Sequence, residues 1–161
     1  MKTYTHIAFS TGVACYVASA LGIPLNVTLL IGVFAGLMQL VIDVLSHETV
    51  YTADRVIHRR TPLLHSPTGA LLVAVGFTAL SAYVTRPQLP LLLLQFLAMI
   101  VASYSHLLLD LLTERGIYVK GKRAWRKRLF SYNNPLLNFL FTVTGIALFL
   151  ASLQLHLQPH P

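Results

Sequence analysis

The distribution of charge along the chain limits its fold more than any other feature. No Lys, Arg, Asp or Glu occurs between Lys2 and Asp43, between Arg60 and Arg86, between Arg86 and Asp110, or after Arg128. A helix of about 20 predominantly apolar residues crosses the hydrocarbon core of a bilayer, and each of these intervals holds one such helix or two. Composition agrees: 55% of residues are hydrophobic and 11% charged, with a mean hydropathy of +0.67, against roughly 25% charged in soluble domains. The chain is therefore read as an integral membrane protein, an all-α polytopic helix bundle. It forms a single domain over residues 1–161, with five spans at about 6–22, 25–47, 63–85, 89–112 and 135–157. The short connections at Gly22-Ile23-Pro24 and Arg86-Pro87 fold the first four spans into two antiparallel helical hairpins. A β-barrel would need alternating polarity, and the β-prone runs are continuously apolar.

The first span also has the outline of a cleavable leader, with Lys2 ahead of an apolar run and Ala18-Ser19-Ala20 behind it. Its polar leader is minimal, so it is read as a retained span. Cys15 is the only cysteine, which excludes an internal disulfide.

All Lys and Arg except Arg86 fall on one side of these spans: at the N-terminus, in the 48–62 loop and in the 113–134 loop. Positive charge accumulates on the cytoplasmic side. The N-terminus is therefore expected in the cytoplasm and the C-terminus outside, in the cell membrane. This asymmetry accounts for most of the net charge of +7, so no nucleic acid is expected as a partner. The segment KGKRAWRKR at 120–128 suits anionic lipid headgroups as well as it serves as a topology signal.

The acids and histidines are not scattered. Asp43 and His47, and in reverse order His106 and Asp110, stand four residues apart, which on a helix places both side chains on one face. The first pair closes span two and the second closes span four, while His6 opens span one and His65 opens span three. Alternating topology brings all of them to the same end of the bundle. Ionisable groups at membrane depth are costly unless paired or wet, which makes them functional candidates. Imidazole with carboxylate and no thiolate points to a divalent metal, zinc first, with manganese, iron or magnesium as alternatives. The candidate ligands His6, Asp43, His47, His65, His106 and Asp110 leave room for one or two ions. The bland alternative is that each His and Asp pair only neutralises itself within the bundle.

Other polar residues carry less weight. Arg59 and Arg60 are candidates for clamping an anionic group, and Glu114, four residues past Asp110, is a candidate general base on the same helix face, with an exposed helix-end acid as the favoured alternative. His58 is read as solvated, and Thr61 and Ser66 as ligand-orienting or helix-capping residues near Pro62. Asn133, Asn134 and Asn138 are read as a turn and helix start around Pro135. His156 and His160 fall on the far side and are excluded.

Four elements together resemble a known family: Thr5-His6, the acid and histidine closing span two, HRRTPLLHS at 58–66, and SHLLLDLLTERG at 105–116. The chain resembles small inner-membrane proteins described as metal-dependent hydrolases, one of which is associated with binding the LexA repressor, and it looks like an archaeal branch of them. That family is distantly similar to the superfamily of zinc-dependent phospholipase C and single-strand-specific nucleases. The resemblance implies phosphoester hydrolysis, with His6, Asp43, His47, His65, His106 and Asp110 as ligands. Bacterial members commonly carry an Asp-x-Asp-His cluster after the second helix, whereas here Asp43 is followed by Leu45 and His47. A multinuclear site is thereby one carboxylate short.

The expected function is a membrane-embedded, metal-dependent hydrolase at the cytoplasmic interface, acting on a phosphoester of an anionic lipid or lipid-linked substrate. Its expected partners are membrane lipids, and no protein partner is specified. A metal or ion transporter and a noncatalytic membrane adaptor are the alternatives.

Overall fold

The computed structural model describes the backbone of residues 1–45, 47–51, 56–114, 116–120, 122–125 and 129–157, with side chains for these apart from 47–51, 56–60 and 123–125. Five helices run through it: α1 (Thr3–Ala20), α2 (Leu25–Leu45), α3 (Pro67–Thr85), α4 (Leu89–Leu112) and α5 (Pro135–Leu157). The fold is the expected all-α bundle, and the bounds of α4 and α5 are those read from the sequence. Of these helices, α2, α3, α4 and α5 are long and apolar enough to cross a membrane. The turn between α1 and α2 uses Gly22 at φ 74°, a backbone region that glycine enters without penalty. Arg86 ends α3 in the left-handed region ahead of Pro87.

The two basic loops are more ordered than expected. β1 (His47–Tyr51) pairs antiparallel with β2 (Val56–Arg60), and β3 (Ile117–Val119) pairs with β4 (Lys122–Trp125). Both hairpins lie at the end of the bundle where α2 and α4 finish and α3 and α5 begin.

The core is built for close helix approach rather than bulk. Ala14, Ala18, Ala35, Ala74, Ala98 and Ala102 are fully buried beside Ile31, Met38, Ile42 and Met99. Inside a bilayer, lipid tails are as apolar as leucine, so small side chains that let backbones pack supply much of the association. The large apolar residues instead face outward: Val33, Leu37, Val44, Leu72, Leu93, Leu140, Ile146 and Leu150 are all exposed.

Helix α1 has a different character because it packs against three neighbours, α2, α4 and α5. Its buried residues are small or polar: Thr5, His6, Ser10, Gly12, Ala14, Cys15, Ala18 and Ser19. Facing protein on most sides, it has less need of the apolar surface that lipid contact demands of the others. At its crossing with α5 the backbones nearly touch. A Cβ on Gly12 would fall on the Gly145 carbonyl, and one on Gly145 on the Ala8 carbonyl.

Because both obstructions are backbone, neither glycine can accept a methyl without α1 and α5 separating. Gly12→Ala and Gly145→Ala are each expected to destabilise the bundle by about 1–3 kcal/mol, measured as a lowered unfolding midpoint in detergent. Gly76, where an added Cβ meets nothing within 4 Å, is the control, and Gly76→Ala is expected to be neutral or stabilising.

Candidate metal centre

At the end of the bundle carrying the hairpins, four chain segments deliver ionisable side chains to one place. His6 lies in the first turn of α1, Asp43 in the last turn of α2, His65 on the turn before α3, and His106 and Asp110 in the last turns of α4. Local structure fixes each approach. Ser66 caps α3, its Oγ accepting from Gly69 N at 3.1 Å with Pro67 in the first helical turn, so the chain reaches His65 in a defined direction. Tyr118 N, at the start of the second hairpin, donates to His65 O at 2.9 Å. The Thr113 N–H and hydroxyl and the Gly116 N–H all donate to Asp110 O, ending α4 just past the aspartate.

Asp110 is the centre of the group. Its Oδ1 lies 3.2 Å from the Met1 amine and 3.3 Å from His6 Nε2, and its Oδ2 lies 3.4 Å from His106 Nε2 and 3.5 Å from His65 Nε2. Asp43 Oδ1 stands 3.7 Å from His106 Nε2. The His6 and His106 rings stack at 4.0 Å between centroids, and His65 tilts against His106 at 5.3 Å. His6, His65, His106 and Asp110 have no exposure, and Asp43 has 5%.

Donor atoms within 4.8 Å of one another form two overlapping groups, His6 with His106 and Asp110, and Asp43 with His65 and His106. Among the described residues neither ring nitrogen of His6, nor Nε2 of His106, has a hydrogen-bond partner. Buried polar atoms are nearly always satisfied, so such atoms need an explanation. A divalent cation supplies one. Ligand atoms about 2.0–2.1 Å from a tetrahedral zinc stand about 3.3 Å from each other, close to the separations around Asp110. The residues therefore fit a zinc-type ion held by nitrogen and oxygen. Cys15 takes no part, since its thiol is buried against Thr28 O at 3.6 Å.

Three polar contacts that support the site were not foreseen from the sequence. Gln39, one turn before Asp43, is fully buried; its Oε1 lies 2.8 Å from His106 Nδ1 and its Nε2 donates to Ala102 O at 3.3 Å. Ser10 and Ser105 share a hydrogen bond of 2.7 Å across the α1–α4 contact. Thr5 Oγ1 donates to Asn138 Oδ1 at 2.9 Å. The available signal was a glutamine in helical register with Asp43 inside an otherwise apolar span.

Several expectations need revision. Helix α2 stops at Leu45, so His47 opens β1 rather than continuing the helix face of Asp43, and the expected four-residue helical pairing is absent. The β1–β2 register sets His47 opposite Arg60 and Glu48 opposite Arg59. The side chains of His47, His58, Arg59 and Arg60 lie outside the described residues. Glu114 follows the end of α4, so it does not extend the Asp110 face; it is exposed and accepts from Ser131 Oγ at 3.3 Å. Ser66 caps α3 at Pro67, later than the Pro62 start expected. Asn138 is not simply part of a helix start, for it is fully buried and reaches α1. In the basic 120–128 segment Lys120 and Lys122 are exposed, and residues 126–128 lie outside the described residues. His156 bonds Ser19 at the opposite end of the bundle, as its exclusion required, and His160 lies outside the described residues.

Residues 1–109 match the family described as protein of unknown function DUF1286. No curated protein and no solved structure matches the chain.

Asn138 holds the start of α1, and with it His6, in place. Its Oδ1 accepts from Lys2 N at 3.0 Å and from Thr5, while its Nδ2 donates to Tyr132 O and Asn134 O. Asn138→Leu would strand these partners at a cost of about 1–3 kcal/mol for a buried group left unsatisfied. Faster amide exchange in the first turns of α1 is the expected outcome, with the α3–α4 hairpin unaffected.

Proposed function

We propose that this chain, which belongs to the family described as protein of unknown function DUF1286, is a membrane-embedded, metal-dependent hydrolase acting at the cytoplasmic interface on a phosphoester of an anionic lipid or lipid-linked molecule. The observation that carries this reading is the convergence of His6, Asp43, His65, His106 and Asp110, from four separate segments, into two buried groups at ligand-to-ligand distances that share His106. Apolar burial alone would not gather such costly side chains in one place.

In this reading His6, His106 and Asp110 hold a divalent cation, zinc first, with His65 beside them at 3.5 Å from Asp110 Oδ2. Such a cation lowers the pKa of a bound water and offsets charge developing on phosphoryl oxygens. Asp43, the one member of the five with any exposure, stands toward solvent and takes the proton of the attacking water at a carboxylate oxygen. Glu114, tied to Ser131, is the less suited base. Arg59 and Arg60, with the exposed Lys120 and Lys122, gather the anionic headgroup from the same end of the bundle.

Placement favours this reading over transport. Transporters bind their substrates near the midplane, typically at broken helices, whereas these residues sit at the ends of unbroken α1, α2 and α4. The basic residues at that end support a cytoplasmic location for it.

Detergent-purified protein, reconstituted with zinc and freed of loosely held ions, is expected to retain metal by elemental analysis and to release phosphate or headgroup from vesicles containing anionic lipid. His65→Ala and Asp110→Ala should each lower metal content and turnover to background while circular dichroism still reports the helical bundle. Protein that stays metal-free after exposure to zinc and manganese would remove the basis of the reading.

A further inference from the structure

Gln39 bears on which nitrogen of His106 is available to a cation. Ala102 O can only accept a hydrogen bond, so the Gln39 amide nitrogen must be the atom facing it at 3.3 Å. The amide oxygen then faces His106 Nδ1 at 2.8 Å and can only accept. Nδ1 therefore carries the proton. In a neutral imidazole this leaves Nε2 with the ring's single lone pair.

That nitrogen serves both ligand groups. It lies 3.4 Å from Asp110 Oδ2 on one side and 3.7 Å from Asp43 Oδ1 on the other, and His106 is the member common to the two groups. A lone pair binds one cation, so the groups are alternatives and cannot be filled together through His106. We infer that Gln39 is a positioning residue which fixes His106 as the Nδ1–H tautomer and so presents Nε2 to the centre, where one lone pair shared by both groups admits one divalent cation at a time. The inference rests on the metal reading above and adds both a tautomer and a stoichiometry to it.

Gln39 is fully buried. Partners that donate or accept at the second nitrogen of a metal-binding histidine orient the ring, and losing them weakens metal binding by roughly ten- to a hundredfold. Gln39→Met keeps the side-chain volume and removes the acceptor. Gln39→Glu keeps an acceptor facing Nδ1–H.

Nitrogen-15 imidazole spectra of the metal-free wild-type protein are expected to show His106 protonated at Nδ1. Zinc titration followed by elemental analysis should give one ion per chain. Gln39→Met should lose the Nδ1–H signature and bind zinc roughly ten- to a hundredfold more weakly, while Gln39→Glu keeps the signature. A purely space-filling role for Gln39 would leave Gln39→Met unchanged in both respects, and that result overturns the inference. So does protonation at Nε2 in the wild-type protein, which needs no variant to fold, or two ions per chain. Failure of the metal reading has its own signature, with Nδ1–H present and no zinc taken up at all; the stoichiometry then falls with that reading, while the tautomer stands.

Discussion

Everything at the functional end of this molecule depends on the burial of one carboxylate. Asp110 has no exposure and closes an apolar helix, a position where an ionised group costs several kcal/mol unless its surroundings compensate. The Met1 amine supplies positive charge at 3.2 Å, and His6, His65 and His106 crowd the same two oxygens with Nε2 atoms within 3.5 Å. Met1 and His6 come from the start of the chain, His65 from the turn before α3, and His106 from one turn earlier on α4. The start of α1 and the turn before α3 must therefore reach the level where α4 ends. Asn138 draws in the first of these segments and the second hairpin, through Tyr118, secures the second.

The same demand explains α1. A helix that carries His6 into the interior must be surrounded by protein, and a surrounded helix is best made narrow. Gly12 meets Gly145 at the crossing with α5, Gly32 of α2 packs on the Cys15 side chain, and Ser10 reaches Ser105 on α4. Small and polar residues on α1 allow three neighbours to approach together, and hydroxyl contacts across the seams set their relative positions. A second polar link, Ser81 to Gln95 to Thr85, ties α3 to α4 further along the bundle. It holds together the hairpin that delivers His65 at one end and His106 and Asp110 at the other.

Legibility in the sequence followed the physical range of each interaction. Helix number and order could be read because charge exclusion and chain turns are local properties; α4 and α5 appear with the expected bounds, whereas α1, α2 and α3 differ from theirs by two to four residues at one or both ends. The His106 and Asp110 pair was equally local, since four residues on one continuous helix fix a common face. His47 exposed the limit of that argument. Its spacing from Asp43 is the same, but the helix ends at Leu45, and a spacing rule has no force once the backbone leaves the helix. Glu114 failed for the same reason beyond Leu112. Gln39 and Asn138 were harder still, because an amide in an apolar run signals that it has a partner without naming one. Their partners lie on α4 and α1, far off in sequence, and only packing brings them together.

Two separate causes place basic residues and the buried cluster at the same end of the bundle, and they differ in what they require. Orientation in a membrane needs only Lys and Arg near the span ends, and it is indifferent to what lies between the helices. It cannot account for an imidazole stacked at 4.0 Å on another, with both His6 ring nitrogens and His106 Nε2 lacking hydrogen bonds among the described residues. Helix packing cannot account for it either, because apolar side chains of similar volume would fill the same space without desolvating polar atoms. A buried carboxylate alone would be satisfied by fewer partners in better hydrogen-bonding geometry. What remains is a set of nitrogen and oxygen atoms 3.3–3.7 Å apart, and it is on this spacing that the proposed cation rests.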